Sequence, residues 1–462
     1  MALTKYKEGS LRELWSIALP LMLSSLSLMS MLFVDRLLLA NYSTPALAAA
    51  VTATTLGWSF LLGWMSLSGI AEVFVAQYNG AGNKERLGEP VWQMIWLSLA
   101  SMLCFFPLSV WGGALFFGSS PDQFMEREYF HWMMLFGPSA PLYTALCAFF
   151  IGQGKTRLIT TLAIVTNVVN AILDVILIFG IEGWIPSLGV AGAAIATCGS
   201  GMFQVLVLGV IFLRKKNRLE LGTSRYQLNF PLLGNCVRIG LPNAAFAVLE
   251  VFAWALFYAI MTSASERHIT VAGIGQSLVI LFFFFAEGMN KAVSTVSGNL
   301  IGAKKPELVQ SVVRSGIKIL CLFFIATVAG TFFAFDLIVL HFLPQATPEV
   351  VASIKPTLFF CMMCNTLYLL FEGIRMVFVG ALTAAGDTMF ILVAGVVSVW
   401  ALMLLPTYIA IIHYQAPVEV AAIISVIYSL IIPILYFIRF YQGQWKNIAL
   451  VKENSLAKQE SL

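Results

Sequence analysis

Apolar residues along this chain form twelve runs, each long enough to cross a lipid bilayer as a helix. A transmembrane helix needs about 20 consecutive, mostly apolar residues. The runs are Leu14–Ala40, Ala46–Gln77, Val91–Phe117, Tyr129–Ile151, Leu158–Ile181, Val190–Leu213, Leu233–Met261, Val271–Leu300, Ile319–Phe342, Leu358–Leu382, Phe390–Ile412 and Val418–Phe440. The pattern therefore predicts an all-α integral membrane protein with twelve transmembrane helices.

The composition excludes water as the main solvent of the chain. Of the 462 residues, 59% are hydrophobic and only 11% are charged, and the mean hydropathy is +0.87. Soluble globular domains carry about 25% charged residues. The formal net charge of +4 is spread over the whole length, so no concentrated basic surface is available to bind nucleic acid. The expected surroundings are the lipid bilayer.

Residue types that build catalytic or metal sites are few and scattered. The chain has 7 cysteines and 4 histidines, and the one close pair, Cys361 and Cys364, lies in an apolar run where packing is the favoured role. The turn Gly154–Thr156 (GKT) has Phe149 where a phosphate-binding loop needs glycine. We expect no metal, no cofactor and no enzymatic activity, and an ion gradient or the substrate's own gradient as the energy source.

The distribution of lysine and arginine predicts how the chain crosses the membrane. Most of these 27 residues lie beside the run ends that share a side with the two termini. The other side has only Arg127, Arg267 and Lys355. Because cytoplasmic loops carry the excess of lysine and arginine, both termini are expected in the cytoplasm. Short tails and loops indicate a bacterial inner membrane, and we expect a monomer.

The two halves of the chain are related by an internal repeat. Pro20 aligns with Pro242, and Gly80 aligns with Gly302, and the members of each pair have the same separation along the chain. The charged linker of residues 214–230 separates six runs from six. Because six crossings return the chain to the same side, the two halves enter the membrane in the same direction, and the repeat is parallel.

The repeat predicts two six-helix lobes, residues 1–222 and residues 223–462. Two such lobes enclose a cavity near the membrane midplane that is reached from each side in turn, which favours a carrier over a channel. Pro20 and Pro242 each remove a backbone hydrogen bond from the first helix of a lobe. At these positions the helix is either a hinge or a static kink.

Six carboxylates fall within the apolar runs, where charge is costly. A charged residue near the bilayer centre costs roughly 2.5–3.5 kcal/mol, so six of them would cost about 15–20 kcal/mol. The six are Asp35, Glu72, Asp174, Glu250, Glu287 and Glu372. Most of them must face a wet cavity, bind cations, carry a proton or pair with a cation inside the membrane. Glu72 lies near the end of its run, where solvation is easy, and a structural role is favoured there.

Helical spacing assigns partners to some of these acids. Glu287 and Lys291 are four residues apart and can neutralise one another. Glu372 and Arg375, three residues apart, can pair likewise, and Tyr368 places a hydroxyl on the same face as Glu372. Glu287, Lys291 and Arg375 thus form a possible charge group in the cavity.

Other acids have no cation at helical spacing. Asp35 is adjacent to Arg36, but neighbours on a helix point about 100° apart and are poor partners. Asn170 and Asp174 are four residues apart and form a polar patch of amide and carboxylate oxygens, which suits Na⁺ or a shared proton. Glu250 has no cation within one helical turn.

Several short motifs occur in order along the predicted helices. They are Phe33–Asp35 (FVD), Gln77–Gly82 (QYNGAG), Gly152–Thr156 (GQGKT), Asn170-x-x-x-Asp174 and Gly189–Thr197 (GVAGAAIAT). Together they resemble the multidrug and toxic compound extrusion (MATE) family, from about residue 10 to residue 440. The resemblance implies that family's fold and its activity, in which a cation-coupled antiporter exports organic, often cationic and amphipathic compounds.

The resemblance also implies ion sites, carried over residue by residue. In the N-terminal lobe, the residues that match the family's cation site are Asp35, Asn170, Asp174 and Thr197. In the C-terminal lobe, one branch of the family uses an acid on helix seven, which is matched by Glu250. The same branch uses Tyr-x-x-x-Asp on helix ten, which is matched by Tyr368 and Glu372, with Glu in place of Asp. The chain departs from the family pattern in three features: the Glu at position 372, Arg375 one turn beyond it, and the Glu287–Lys291 pair. They leave open which lobe carries the ion and whether Arg375 has replaced it.

The predicted function is therefore antiport of small organic molecules against Na⁺ or H⁺. The ion enters from outside to the acids of the N-terminal lobe, bends the first helix at Pro20, and so expels substrate from the cavity. A flippase for lipid-linked sugars is one alternative, but its strongly cationic cavity would depend on Arg36, Lys291 and Arg375 alone. A membrane-embedded enzyme is another, and the scattered histidines offer it no cluster.

Overall fold

A computed structural model describes residues 3–118, 122–342, 347–448 and 450 of the chain. In these residues, 12 helices are long and apolar enough to cross a membrane. They are α1 (Leu11–Tyr42), α2 (Thr44–Gly80), α3 (Lys84–Phe116), α4 (Gln123–Ile151), α5 (Thr156–Phe179), α6 (Gly189–Phe212), α7 (Phe230–Ala264), α8 (Glu266–Gly302), α9 (Pro306–Phe333), α10 (Val351–Ala385), α11 (Thr388–His413) and α12 (Val418–Gln442). The predicted all-helical fold with twelve spans is confirmed. We call α1–α6 the N-lobe and α7–α12 the C-lobe; the lysines beyond residue 450 lie outside the described residues.

Several helices begin at residues whose side chains satisfy free backbone N–H groups. At each of these starts, a serine or asparagine side-chain oxygen accepts a hydrogen bond of 3.1–3.3 Å from the backbone N–H three residues further on. The capping residues of α1, α2, α7 and α8 are, in order, Ser10, Ser43, Asn229 and Ser265. Such caps favour a helix start at these positions. Ser43 and Ser265 have the same separation along the chain as Pro20 and Pro242, so the repeat includes the caps.

Buried apolar side chains form two separate cores. The larger core contains residues of both lobes, among them Phe74 of α2 and Met289 of α8. The smaller core contains, within the described residues, only N-lobe side chains such as Leu39, Phe105 and Val190. We call the end of the bundle where α1 begins and α12 ends the terminal end. The lobes share a core toward the terminal end, and the N-lobe packs by itself toward the other end.

The last turns of α2 and α8 meet at the terminal end in a contact that the repeat uses twice. A Cβ atom added at Gly80 would lie 1.9 Å from the carbonyl oxygen of Asn299. One added at Gly302 would lie 2.0 Å from the carbonyl oxygen of Gln77. Gln77 and Asn299 have the same separation along the chain as Gly80 and Gly302. The contact of Gly80 with Asn299 is therefore equivalent, by the repeat, to the contact of Gly302 with Gln77. Glycine is required at both places because the backbones touch.

A further pair of equivalent residues marks the axis of the repeat. Ala76 directly precedes Gln77, and Gly298 directly precedes Asn299, so these two residues are also equivalent in the repeat. A Cβ atom added at Gly298 would lie 2.8 Å from the Cβ of Ala76. A residue that touches its own equivalent lies beside the two-fold axis, so the axis of the predicted parallel repeat passes between Ala76 and Gly298.

Side-chain hydrogen bonds join the lobes at the same place. The Asn79 amide donates to Oδ1 of Asn299 at 2.7 Å. The Gln77 amide donates to the carbonyl oxygen of Ala384, at the end of α10, at 2.7 Å. These hydrogen bonds of side-chain amides are buried or half-buried between the lobes. They would have to break if the lobes separated at the terminal end.

The segment before α1 also bridges the lobes. Lys305, between α8 and α9, lies 2.7 Å from a carboxylate oxygen of Glu8. The Ser311 hydroxyl of α9 donates to the carbonyl oxygen of Gly9 at 3.0 Å. The N-terminal segment precedes an N-lobe helix and is bonded to the C-lobe, so it adds to the closure of the terminal end.

The linker between the lobes is bound to the start of α3. The indole N–H of Trp92 donates to the carbonyl oxygen of Thr223 at 2.9 Å, and that of Trp96 donates to the carbonyl oxygen of Tyr226 at 2.8 Å. Arg225 forms ion pairs with Glu89 at 2.8 Å and with Glu85 at 3.4 Å. The predicted boundary between residues 222 and 223 falls within this bound segment.

Both predicted hinge prolines lie inside long helices. Pro20 is in α1, and its carbonyl oxygen accepts a hydrogen bond of 2.5 Å from the Thr160 hydroxyl of α5. Pro242 is buried in α7, two residues after Gly240, which packs against Leu67 of α2. Bending of the helices at these prolines stays a prediction.

Gly80→Ala and Gly302→Ala should each lower the midpoint of thermal unfolding of the purified protein, by similar amounts. The added methyl group has no room between α2 and α8, and overpacking of this kind costs about 1–3 kcal/mol. Gly209→Ala is the matched control, because a Cβ built at that position of α6 has no atom within 4 Å. Unchanged midpoints for both Gly80→Ala and Gly302→Ala would contradict the paired contact.

Candidate functional site

Three helices of the N-lobe bring the predicted cation-site residues together. Asp35 comes from α1, Asn170 and Asp174 from α5, and Thr197 from α6. Asp35 is 5% exposed, and Asn170 and Asp174 are fully buried. The four residues, which we call the N-lobe cluster, lie in the half of the lobe away from the terminal end, near the separate N-lobe core.

Neutral donors bind the two carboxylates of the N-lobe cluster. The Thr197 hydroxyl donates to Oδ2 of Asp35 at 3.0 Å. In the amide orientation that satisfies its neighbours, the Asn170 nitrogen donates to Oδ1 of Asp35 at 2.8 Å and to Oδ2 of Asp174 at 3.2 Å. One amide group therefore bridges two acids that come from different helices and lie far apart in the chain.

The N-lobe cluster has oxygen atoms that can accept a proton or a small cation. Oδ1 of Asp174 is buried and has no hydrogen-bond donor among the described residues. The carboxyl groups of Asp35 and Asp174 also contact each other directly, and two adjacent carboxylates cannot both stay ionised without a compensating positive charge. Arg36 is exposed whereas Asp35 is buried, which agrees with the expectation that these neighbours on a helix are poor partners. Together with the Thr197 hydroxyl, these carboxylates form an oxygen-rich site of the kind that hard cations bind.

A second charged cluster lies inside the C-lobe. Arg375 of α10 is 1% exposed, and its Nε donates to Oε2 of Glu372 at 2.8 Å. Its Nη2 donates to Oε1 of Glu372 and, at 2.9 Å, to Oε1 of Glu250 on α7. The pairing of Glu372 with Arg375 follows from their spacing on one helix. The cation beside Glu250 comes from another helix, so the spacing of residues within α7 does not indicate it.

Aromatic rings surround this C-lobe cluster. The Arg375 guanidinium lies 5.3 Å from the ring centroid of Phe246, within range of a cation–π contact. Tyr368 is buried beside Glu372, and its ring packs edge-on against Trp254 with centroids 5.7 Å apart. The structure thus brings the predicted C-lobe residues Glu250, Tyr368 and Glu372 together, and the cation that the two acids contact is Arg375.

The structure separates the predicted cavity charge group into two parts. Lys291 Nζ lies 3.3 Å from Oε1 of Glu287 on α8, and these side chains are 43% and 31% exposed. Arg375 is instead buried in the C-lobe cluster. Arg375 pairs with these two acids because Glu372 is one turn away on the same helix and Glu250 faces it from α7.

Glu72 makes a contact between the lobes that the sequence does not indicate. Its Oε1 accepts a hydrogen bond of 2.8 Å from the Thr295 hydroxyl of α8. The partners lie in different halves of the chain, so helical spacing carries no signal for them. The only sequence signal was a carboxylate within an apolar run. The structure places this carboxylate at the junction of the lobes, bonded to Thr295, which is one helical turn after Lys291 on α8.

Asn170→Leu should lower the unfolding midpoint, and more strongly at pH 9 than at pH 5. The change removes the donor that two buried carboxylates share, and an unsatisfied buried polar group costs about 1–3 kcal/mol. Acid reduces the loss because protonation of either carboxyl removes their repulsion. Asn41→Leu on the same N-lobe is the control, since the Asn41 amide is exposed and, within the described part of the chain, donates only to the Leu37 carbonyl. A loss in Asn170→Leu that is independent of pH would argue against direct contact with both acids.

Comparison with known proteins agrees with this architecture. A family model described as MatE matches residues 20–176 and 242–409. The chain is 25% identical over 452 residues to the "Probable multidrug resistance protein NorM" of Thermotoga maritima, which covers 95% of this chain and 94% of that protein. It is also 25% identical over 387 residues to the protein of the same name from Rhizobium meliloti, with 79% of each chain covered.

The fold is similar to that of a solved structure described as the outward-facing conformation of a multidrug resistance MATE family transporter of the MOP superfamily. The TM-score is 0.85 at 17% sequence identity, and the match covers 96% of this chain and 97% of that chain. The two blocks of the family model begin at residues 20 and 242, which are the prolines related by the internal repeat. The resemblance found in the sequence is confirmed, and the chain belongs to the MatE family, a family of multidrug efflux transporters.

Proposed function

We propose that the protein is an antiporter that exports amphipathic, often cationic organic compounds in exchange for Na⁺ or H⁺. The observation that carries the proposal is the N-lobe cluster, in which Asn170 bridges the buried carboxyl groups of Asp35 and Asp174. Its described hydrogen-bond donors are neutral, so a proton or a Na⁺ ion would supply the missing positive charge.

The closed terminal end supports alternating access as the mechanism. With both termini in the cytoplasm, as the lysine and arginine distribution predicts, the shared core and the contacts of α2 with α8 close the cytoplasmic side. The N-lobe cluster then lies in the outer half of the protein, where an ion enters from outside. The similarity to a transporter described as outward-facing agrees with this assignment.

Exchange requires that ion and substrate favour different states of the same equilibrium. Ion binding at the N-lobe cluster would favour the state in which substrate leaves to the outside, and substrate binding from the cytoplasm would favour the other state. Passage between the states breaks the bonds of Asn79, Gln77 and Glu8 at the terminal end. We place the protein as a monomer in the inner membrane of a bacterium, which agrees with its bacterial relatives.

The pairing of Lys291 and Arg375 with acids inside the membrane favours export of organic compounds over transport of lipid-linked sugars. A pyrophosphate group would need free cations, but Lys291 is paired with Glu287, and Arg375 is bound by Glu250 and Glu372. The half-exposed Glu287–Lys291 pair is close to neutral as a unit, and so it does not repel a cationic substrate.

Asp35→Asn should abolish gradient-driven efflux of a fluorescent cationic dye, with a rate at least tenfold below wild type. The amide keeps the shape of the side chain but cannot bind a proton or Na⁺ as a carboxylate does. Dye efflux from cells or vesicles under imposed Na⁺ or H⁺ gradients measures the effect, with Glu182→Gln in an exposed loop as the control. Gradient-driven efflux that persists in Asp35→Asn would show that the N-lobe mechanism is wrong.

Thr197→Val should raise the ion concentration that gives half-maximal efflux by about tenfold, whereas Thr197→Ser should leave it near the wild-type value. The Thr197 hydroxyl is a donor to Asp35 and a potential ligand of the ion, and a hydrogen bond to a charged group contributes about 1.5–3 kcal/mol. The measurement is the dependence of efflux on Na⁺ concentration or pH. Equal values for the Val and Ser variants would exclude the hydroxyl from the ion site.

A further inference from the structure

Two glutamates from different helices of the C-lobe hold one guanidinium between them. Nη2 of Arg375 is the shared donor, because it contacts Oε1 of Glu250 on α7 at 2.9 Å and also contacts Oε1 of Glu372 on α10. Nε adds a second bond to Glu372 at 2.8 Å. The Arg375 side chain is 1% exposed, that of Glu372 is 7% exposed and that of Glu250 is 16% exposed.

The surroundings hold the guanidinium in one place. Its face lies 5.3 Å from the ring centroid of Phe246. Phe246 in turn fits against Gly395 of α11, where a Cβ atom would lie 2.3 Å from the ring. From α12, the buried phenol groups of Tyr428 and Tyr436 also interact with Arg375. Three helices, α7, α10 and α12, therefore contribute groups that interact with the cation, and α11 packs behind Phe246.

Two facing carboxylates inside a membrane need a proton or a positive charge between them. In the N-lobe cluster, the donors to Asp35 are the neutral groups of Thr197 and Asn170, which leaves the positive charge to come from solution. In the C-lobe, Glu250 and Glu372 receive a positive charge from the chain itself. The two lobes are related by the repeat, but they differ in the source of their compensating charge.

We propose that Arg375 is a resident cation that takes the place of a transported ion in the C-lobe. Its guanidinium occupies the position between Glu250 and Glu372, so that these acids do not bind Na⁺ from solution. Ion coupling is then confined to the N-lobe cluster, a consequence that rests on the function proposed above. The occupancy of the C-lobe acids by Arg375 does not rest on it.

Covalent attachment favours Arg375 over a free ion. Arginine stays protonated in proteins, and the geometry of Nε and Nη2 matches the two oxygens of one carboxylate. Because the guanidinium is tethered one turn from Glu372, its effective concentration at the acids exceeds the concentration of a free competitor. Arg375 acts on coupling by excluding an ion, so it is a specificity-determining residue.

The experiment measures binding of ²²Na⁺ to the full-length protein in detergent, together with the shift of the unfolding midpoint when NaCl replaces choline chloride. Asp35→Asn removes the N-lobe contribution and is expected to bind no Na⁺. Asp35→Asn with Arg375→Met is expected to gain about one Na⁺ per chain and a midpoint that rises with Na⁺ concentration. Adding Glu250→Gln to this pair is expected to abolish the gain.

Arg375→Lys in the Asp35→Asn background is the matched control, because it keeps a tethered cation and is expected to gain no Na⁺ binding. A purely structural role for Arg375 would lower stability in the Met variant without creating an ion site. The proposal is overturned if the folded Met variant, judged by size-exclusion chromatography, binds no more Na⁺ than Asp35→Asn alone.

A second comparison decides the question if the Met variant does not fold. The proposal stands if Asp35→Asn with native Arg375 binds no Na⁺, and it fails if that protein binds Na⁺ in a way that Glu250→Gln removes. Failure of the proposed function has a different signature. Dye efflux would then be independent of ion gradients, and the gain of Na⁺ binding in Arg375→Met would remain.

Discussion

A lipid bilayer tolerates a charged side chain only when an opposite charge, a proton or a network of donors accompanies it, and this constraint organises the whole protein. Six unpaired acids would cost about 15–20 kcal/mol, more than the net stability of most proteins. In the structure, each of these acids has a charged or hydrogen-bonding partner. Those partners are Asn170 and Thr197 in the N-lobe cluster, Arg375 in the C-lobe cluster, Lys291 one turn from Glu287 on α8 and Thr295 at the junction of the lobes.

The same constraint gives two lobes of one repeat different chemistry. Their backbones are matched closely enough that Ala76 touches its own equivalent, Gly298, and that Gly80 and Gly302 make interchangeable contacts. Their buried charges are not matched, since the N-lobe acids have neutral donors and the C-lobe acids have an arginine. Under the proposed function, two lobes that rock about their common axis would contain one ion-binding site, and ion binding in one lobe would bias the equilibrium of both.

Much of the fold could be predicted from the sequence because the relevant signals are local. Hydropathy is read over about 20 residues, and it indicated twelve spans that the structure confirms. The aligned prolines at 20 and 242 indicated the repeat, and the cost of buried charge selected the acids. Asp35, Asn170 and Asp174 were brought together by resemblance to a family, and the structure places them in hydrogen-bond contact.

The remaining contacts depend on which helices face each other, and local patterns do not contain that information. Glu250 finds its cation on another helix in Arg375, and Glu72 finds Thr295 across the lobes. Spacing along a helix correctly paired Glu287 with Lys291 and Glu372 with Arg375, but it could not separate Arg375 from the cavity. The repeat identified Gly80 and Gly302 as equivalents. It did not indicate that Gly80 packs against the backbone of Asn299 and Gly302 against the backbone of Gln77.

The proposed antiport requires that ion and substrate compete for one conformational equilibrium through the N-lobe cluster. The direct measurement is ion release when a cationic substrate binds to the purified protein, followed as protons in weakly buffered solution and as displaced ²²Na⁺. We expect that binding of substrate releases one of these ions, and that Asp174→Asn binds substrate without release. Substrate binding that releases neither ion at any pH or Na⁺ concentration, or release that is unchanged in Asp174→Asn, would contradict it.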